Sequence, residues 1–192
     1  MKKIVFGLIF IPALLLPQVK NDFQPMLAES KMKFAQPADF DPVPVKPNRH
    51  VLYQYALKHR AKKLEIRYSL WPLEKRLAEF RKTPKESGTV MLDPNTAYQT
   101  FTTALAMNIA GNGRLLSKAE FKPENAAREF NAGWGSSTFV ECGSGFGEGY
   151  RYAIIVALHK DDAADAYIIY LFDDGKEVQQ EMMAAFYALK FE

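Results

Sequence analysis

Chemistry in this 192-residue chain would have to start from one cysteine, three histidines, scattered carboxylates and a run of alternating glycines. The run is Cys142-Gly143-Ser144-Gly145-Phe146-Gly147-Glu148-Gly149. Alternating glycines after a strand invite a phosphate-loop reading. Such a loop needs a helix next, so that N-terminal amides meet the phosphate. Here Tyr150-Arg151-Tyr152-Ala153-Ile154 reads as a strand, and no Gly-Lys-Ser/Thr follows. The run is therefore expected to be a flexible hairpin loop with positive φ angles. Its contact candidates for a ligand or partner are Gly143, Gly145, Phe146 and Gly147.

Cys142 and His159 could in principle pair as nucleophile and base. They fall near opposite ends of neighbouring strands, some 27 Å apart at ~3.3 Å per residue. Antiparallel pairing sets Cys142 beside Tyr150 instead, so nucleophilic catalysis is not expected. Asp161, Asp162 and Asp165 belong to one end of the sheet, and Asp173, Asp174 and Glu177 to the other. That split, with no EF-type spacing, argues against calcium. His50 and His59 are isolated in polar loops, and no Cys/His cluster suits zinc. No catalytic residue, metal site or cofactor is expected. Trp134, on the way into a strand, either caps the core or marks a contact surface.

Lys and Arg crowd residues 46–85, while acids outnumber them from residue 160 onward. Export argues against nucleic acid, and the dispersed basic spacing, with only Tyr53, Tyr55 and Tyr68 nearby, gives no stacking platform. A solvated basic face, or attraction to an anionic envelope surface, fits better.

The elements that position these residues follow from periodicity. Met32–Phe34 reads as a short strand. Val51–Leu57 and Lys62–Trp71 read as a hairpin. In its second strand Leu64, Ile66, Tyr68 and Leu70 face one way, and Lys63, Glu65, Arg67 and Ser69 the other, so one face should be buried and one wet. Leu73–Lys82 reads as a short amphipathic helix, followed by a loop over 83–88. Asp93-Pro94 is a helix-start signal. Ala97, Phe101, Ala104, Leu105 and Ile109 continue that helix, and Gly111 stops it. Pro123–Phe130 suggests another helix. Ser137–Cys142, Tyr150–Leu158 and Ala166–Phe172 read as strands. The last two are apolar on both faces, the pattern of central strands covered on both sides. Glu177–Leu189 reads as the final helix.

Helices do not alternate regularly with strands. The expected fold is a single α+β domain, a mainly antiparallel sheet covered by helices as an α/β/α sandwich. Fourteen Phe, nine Tyr and two Trp supply the volume for its core.

At the N-terminus, Met1-Lys2-Lys3 precedes an apolar run from Ile4 to Leu16. The run is shorter than the ~20 residues of a membrane span and fits the apolar core of a secretory signal. Residues 1–17 are thus read as a signal peptide, with cleavage near Gln18 or retention as an N-terminal anchor. No transmembrane span is expected once it is removed. Residues 18–30 read as a flexible approach, and 31–192 as the globular domain. No cysteine follows the apolar run, which excludes lipoprotein processing. With Lys2 and Lys3 removed, the formal +3 charge falls close to neutral.

Met32-Lys33-Phe34 with Gln36-Pro37-Ala38-Asp39-Phe40, a middle helix after a hairpin, and the tail Phe186-Tyr187-Ala188-Leu189-Lys190-Phe191 resemble the layout of the PsbP-like and DcrB-like group of small exported α/β/α domains. The resemblance spans most of residues 27–192. It implies accessory, binding or assembly roles without catalysis, and it supplies no catalytic residues. The expected function is that of an exported, periplasmic or secreted, non-enzymatic protein. It would bind an envelope or extracellular protein, or an anionic envelope surface. The alternatives are a hydrolase built from residues distant in sequence and a carrier of a small ligand between sheet and helices.

Overall fold

Strands that are apolar on both faces must be covered on both, and that requirement arranges this chain in three layers. The computed structural model describes residues 22–82 and 92–192. The signal-peptide reading, the cleavage point and the loop at 83–88 lie outside the described residues.

In chain order, α1 (Phe23–Glu29), β1 (Met32–Phe34), β2 (Phe40–Pro42), β3 (Tyr55–His59), β4 (Leu64–Pro72) and α2 (Glu74–Lys82) precede the middle helix α3 (Tyr98–Ala110). Then follow β5 (Leu115–Glu120), α4 (Pro123–Phe130), β6 (Trp134–Glu141), α5 (Ser144–Gly147), β7 (Tyr152–Lys160), β8 (Ala164–Phe172), α6 (Gly175–Ala185) and β9 (Leu189–Phe191). Seven strands form one sheet in the order β2-β3-β4-β8-β7-β6-β5, and every neighbouring pair is antiparallel. The expected α+β sandwich is the architecture found.

One face of the sheet presents Ile66, Tyr68, Ile168, Tyr170 and Val156. It packs against Phe23 and Leu27 of α1, Ala126 and Phe130 of α4, and Val178 and Ala185 of α6. The other face presents Ile155, Ile169 and Leu171 to Leu105, Ala106, Ile109 and Ala110 of α3. Each large apolar side chain buried this way contributes about 1.5–3 kcal/mol.

Several expectations are corrected. Residues 23–29 are not a flexible approach: Phe23 and Leu27 anchor them as a helix in the core, so the domain begins before residue 31. The first hairpin strand lies later than Val51–Leu57. Val51 and Tyr53 instead lie over the second face of the sheet as part of its core. The polar face of β4 is not wet, because Arg67 is 1% exposed and Ser69 is fully buried. α3 begins at Tyr98 rather than at Pro94. Asp93 serves a turn, its carboxylate accepting from Asn95 N at 2.9 Å. The inward stripe of α3 runs through Thr102, Leu105, Ala106, Ile109 and Ala110, leaving Ala104 exposed. Gly111 ends the helix at φ +54° as expected.

β5 escapes the periodicity analysis because all six of its residues are exposed. It is an edge strand, and Lys118 and Glu120 make it a poor template for further pairing. The last helix stops at Ala185 rather than Leu189, because Leu189–Phe191 pairs with Met32–Phe34. Leu189 and Phe191 are buried in that two-stranded addition.

Candidate functional site

The residues singled out by sequence fall at two ends of β6. Trp134 opens the strand opposite His159, while Glu141 closes it opposite Tyr152. Seven steps at ~3.3 Å separate them by roughly 23 Å. Trp134 is half-buried, 4.9 Å from the Tyr98 ring, and its indole N–H is buried without a hydrogen-bond acceptor. It therefore joins no common site with Gly143, Gly145, Phe146 and Gly147.

The glycine run is a pinned segment, not a flexible hairpin loop. Ser144–Gly147 is one helical turn, and Phe146 is 1% exposed. The Arg67 guanidinium lies between the Tyr53 and Phe146 rings, 5.0 and 4.7 Å from their centroids. Its Nε donates to Glu65 at 2.7 Å and its Nη1 to the Phe146 carbonyl at 3.0 Å. Glu148 accepts from Lys46 at 2.8 Å and from Arg67 at 3.4 Å. The Lys46 hydrogen bond, aided by the Arg67 charge, holds the Glu148 carboxyl below its ordinary range. Phe146 thus presents its ring to a guanidinium rather than to an open surface.

The glycines serve close approach. A Cβ on Gly143 would lie 2.7 Å from the Ala110 carbonyl oxygen, and one on Gly147 would lie 2.8 Å from the Cys142 Cβ. Gly145 lies against the His50 ring. Gly143→Ala is therefore expected to cost about 1–3 kcal/mol through backbone displacement. Thermal denaturation checks this, and an unchanged midpoint would contradict the packing role.

Cys142 and His159 are at opposite ends of the sheet, as expected from antiparallel pairing. The Cys142 amide donates to the Arg151 carbonyl at 2.8 Å. Burial pushes its thiol up to about 12, with Arg67 offsetting only part of this, so the thiolate nucleophile is scarce at neutral pH.

His159 belongs to a cluster the sequence analysis did not assemble. Its Nδ1 is 2.7 Å from Asp165 and its Nε2 is 2.9 Å from Asp161. The Tyr98 ring stacks on it at 4.0 Å. The signal was available: the turn between β7 and β8 sets His159 directly opposite Asp165. Burial favours the neutral imidazole, but the two carboxylates outweigh it and raise the His159 pKa. Both ring nitrogens face carboxylates, so neither is free to deprotonate a hydroxyl or thiol nucleophile. The acids divide as expected, with Asp173 and Asp174 at the other end of β8. Among the described residues, no group of three or more His, Cys, Asp or Glu is placed to hold a metal.

An apolar opening lies elsewhere. α6 covers β8, and α4 covers the sheet nearer the start of β6. Between them Phe139, Tyr152 and Ile154 remain only half-buried although β6 and β7 are interior strands. With Tyr170 and Phe172 they floor a groove of about 630 Å³. Met182 and Met183 of α6 and Phe186 just after it form its wall. The Phe139 and Phe172 rings lie near-parallel with centroids 6.1 Å apart, and the Tyr152 ring is tilted against both, giving an aromatic floor. Its volume lies within the ~300–1,000 Å³ of small-molecule sites, which also combine an apolar lining with few polar groups.

The polar groups stand where β7 and α6 begin. Asp173 accepts from Lys63 Nζ at 2.5 Å and from the Arg151 amide at 3.0 Å. Burial alone would raise the Asp173 pKa, but these donors overcome it and lower it. Asp174 caps α6 by accepting from Lys176 N at 2.8 Å. The sequence analysis missed this groove because its floor and wall come from four separated segments.

Fold and groove together define an antiparallel-sheet α/β/α domain with an apolar, aromatic-floored cleft. No family model matches the chain, and no curated protein matches it. Among solved structures, the chain is similar to cyanobacterial PsbP (CyanoP) from Synechocystis sp. PCC 6803, determined in solution. The two are 8% identical, the match covers 85% of this chain and 88% of that one, and the TM-score is 0.49. The likeness is one of chain layout alone. Among the described residues, no helix is long and apolar enough to cross a membrane.

Proposed function

We propose that this chain is an exported, non-enzymatic domain that binds an apolar small molecule in the groove between α6 and the sheet. The observation that carries the reading is the groove itself, about 630 Å³ and floored by half-buried aromatic residues on interior strands. Its carboxylates are already engaged by Lys63, the Arg151 amide and the start of α6, which favours holding a ligand over transforming one. The export component rests on the apolar run Ile4–Leu16 behind Lys2 and Lys3. N-terminal sequencing of the native protein tests it; a sequence starting at Met1 would remove the cleaved form.

The groove is tested with N-phenyl-1-naphthylamine, a neutral fluorophore that brightens in apolar sites. Saturable one-site binding is expected. Met183, 54% exposed on the groove wall, can be changed without opening the core. Met183→Glu is expected to weaken the probe at least tenfold while shifting the melting midpoint by less than ~2 °C, as surface changes do. Two outcomes would reject the proposal. One is no saturable binding. The other is turnover of generic ester, phosphate or peptide substrates that a single substitution abolishes.

A further inference from the structure

The groove has a chemically distinct end. Arg151 lines it at the start of β7, and its side chain is exposed. Its guanidinium lies 5.3 Å from the centroid of the Tyr152 ring, with only a long 3.4 Å contact to that phenol oxygen. Among the described residues, the Arg151 guanidinium forms no ion pair. Of its acidic neighbours, only Asp173 is ion-paired among these residues. Asp173 is held by Lys63, and one Asp174 oxygen is committed to the first turn of α6. Asp174 has no ion pair among these residues either, but the N-terminal dipole of α6 offsets its carboxylate. The Arg151 guanidinium is therefore the charged group at this mouth without a close partner, planar and able to donate two parallel hydrogen bonds.

From this charge complementarity we infer that the occupant of the groove is an anionic amphiphile. Its acyl or aryl body would lie on Phe139, Tyr152, Ile154 and Phe172, and its carboxylate would meet Arg151. This rests on the proposed groove function and adds the ligand class. An aromatic floor and a flexible methionine wall suit a body of variable shape, because Met side chains repack readily. Burial of the body supplies affinity that grows about three- to fourfold per methylene until the groove is full. The headgroup contact supplies selection, because an amphiphile with another head leaves the guanidinium without its anion.

The experiment displaces N-phenyl-1-naphthylamine from the full chain with dodecanoate, dodecanol and dodecylamine, each below its critical micelle concentration. Dodecanoate is expected to displace the probe at a concentration at least tenfold lower than dodecanol, with dodecylamine weakest. In Arg151→Gln the dodecanoate-to-dodecanol ratio should fall below threefold, and in Arg151→Lys it should fall between the two. Melting curves confirm that the variants are folded.

Equal displacement by all three headgroups, or tighter binding of dodecylamine, overturns the inference while leaving the groove function standing. So does a wild-type preference for dodecanoate that Arg151→Gln leaves intact, because the anion site would then lie elsewhere. If the probe does not bind the wild-type protein at all, the groove function fails first and this inference with it.

Discussion

Arg67→Leu is expected to lower the melting midpoint by roughly 6–20 °C. Breaking a buried ion pair from one side costs about 3–5 kcal/mol, and for a domain of this size each kcal/mol moves the midpoint by about 2–4 °C. The substitution leaves Glu65, only 13% exposed, without its 2.7 Å partner. It also leaves the Phe146 carbonyl without its donor and removes the cation from between two rings. Arg67→Lys keeps the charge but not the fork, so it should recover less than half of the loss. Arg67→Met combined with Glu65→Gln should be more stable than Arg67→Leu alone, since it leaves no unpaired charge at position 65. The same variants should loosen the segment around α5, and backbone amide exchange at Gly147 would report it. A midpoint within 2 °C of wild type for Arg67→Leu would show that the guanidinium does not hold the glycine segment down.

Asp165→Ala is expected to be nearly as damaging, again by about 3–5 kcal/mol. It leaves His159, whose side chain is 3% exposed, with Asp161 as its one carboxylate, and it removes the carboxylate that lies 3.8 Å from Arg76 Nη1, a buried atom with no hydrogen bond of its own. The pair also makes stability depend on pH. The folded-state pKa of His159 lies above its ordinary value of 6.5. Folded protein therefore binds this proton more tightly than unfolded protein does. The stabilisation is fully present below pH 6.5 and fades as pH rises through the folded pKa. Wild-type melting midpoints should accordingly decline from about pH 6.5 upward, and Asp165→Asn should flatten that decline. Midpoints measured from pH 5.5 to 8.5 in both proteins decide this; a wild-type midpoint that rose across the window would contradict the assignment.

Both predictions concern groups that the chain's periodicity alone misplaces. In β4, the alternation of Leu64, Ile66, Tyr68 and Leu70 with Glu65, Arg67 and Ser69 correctly sorts the two faces. It does not say whether the more polar face is covered. Tyr53 and Phe146, 14 residues before Arg67 and 79 after it, cover that face, and Arg67 tolerates burial because its donors meet acceptors there. β5 was illegible for the opposite reason, since a strand with six exposed residues has no burial pattern to read. The C-terminal residues read as helix because the strand that captures them, Met32–Phe34, lies more than 150 residues away.

By itself the sequence determined the antiparallel sheet, the central place of β7 and β8, the helices that cover them, and the separation of Cys142 from His159. These follow from residue periodicity and turn lengths, which act over a few residues along the backbone. Only the tertiary structure decided that the glycine run is a clasp over Arg67, that His159 lies between two carboxylates, and that α6 stops short of covering the sheet beside Phe139 and Ile154. Those outcomes depend on which distant segments meet and how closely they pack. Local pattern carries no term for the space left between two helices, and that space is where the groove lies.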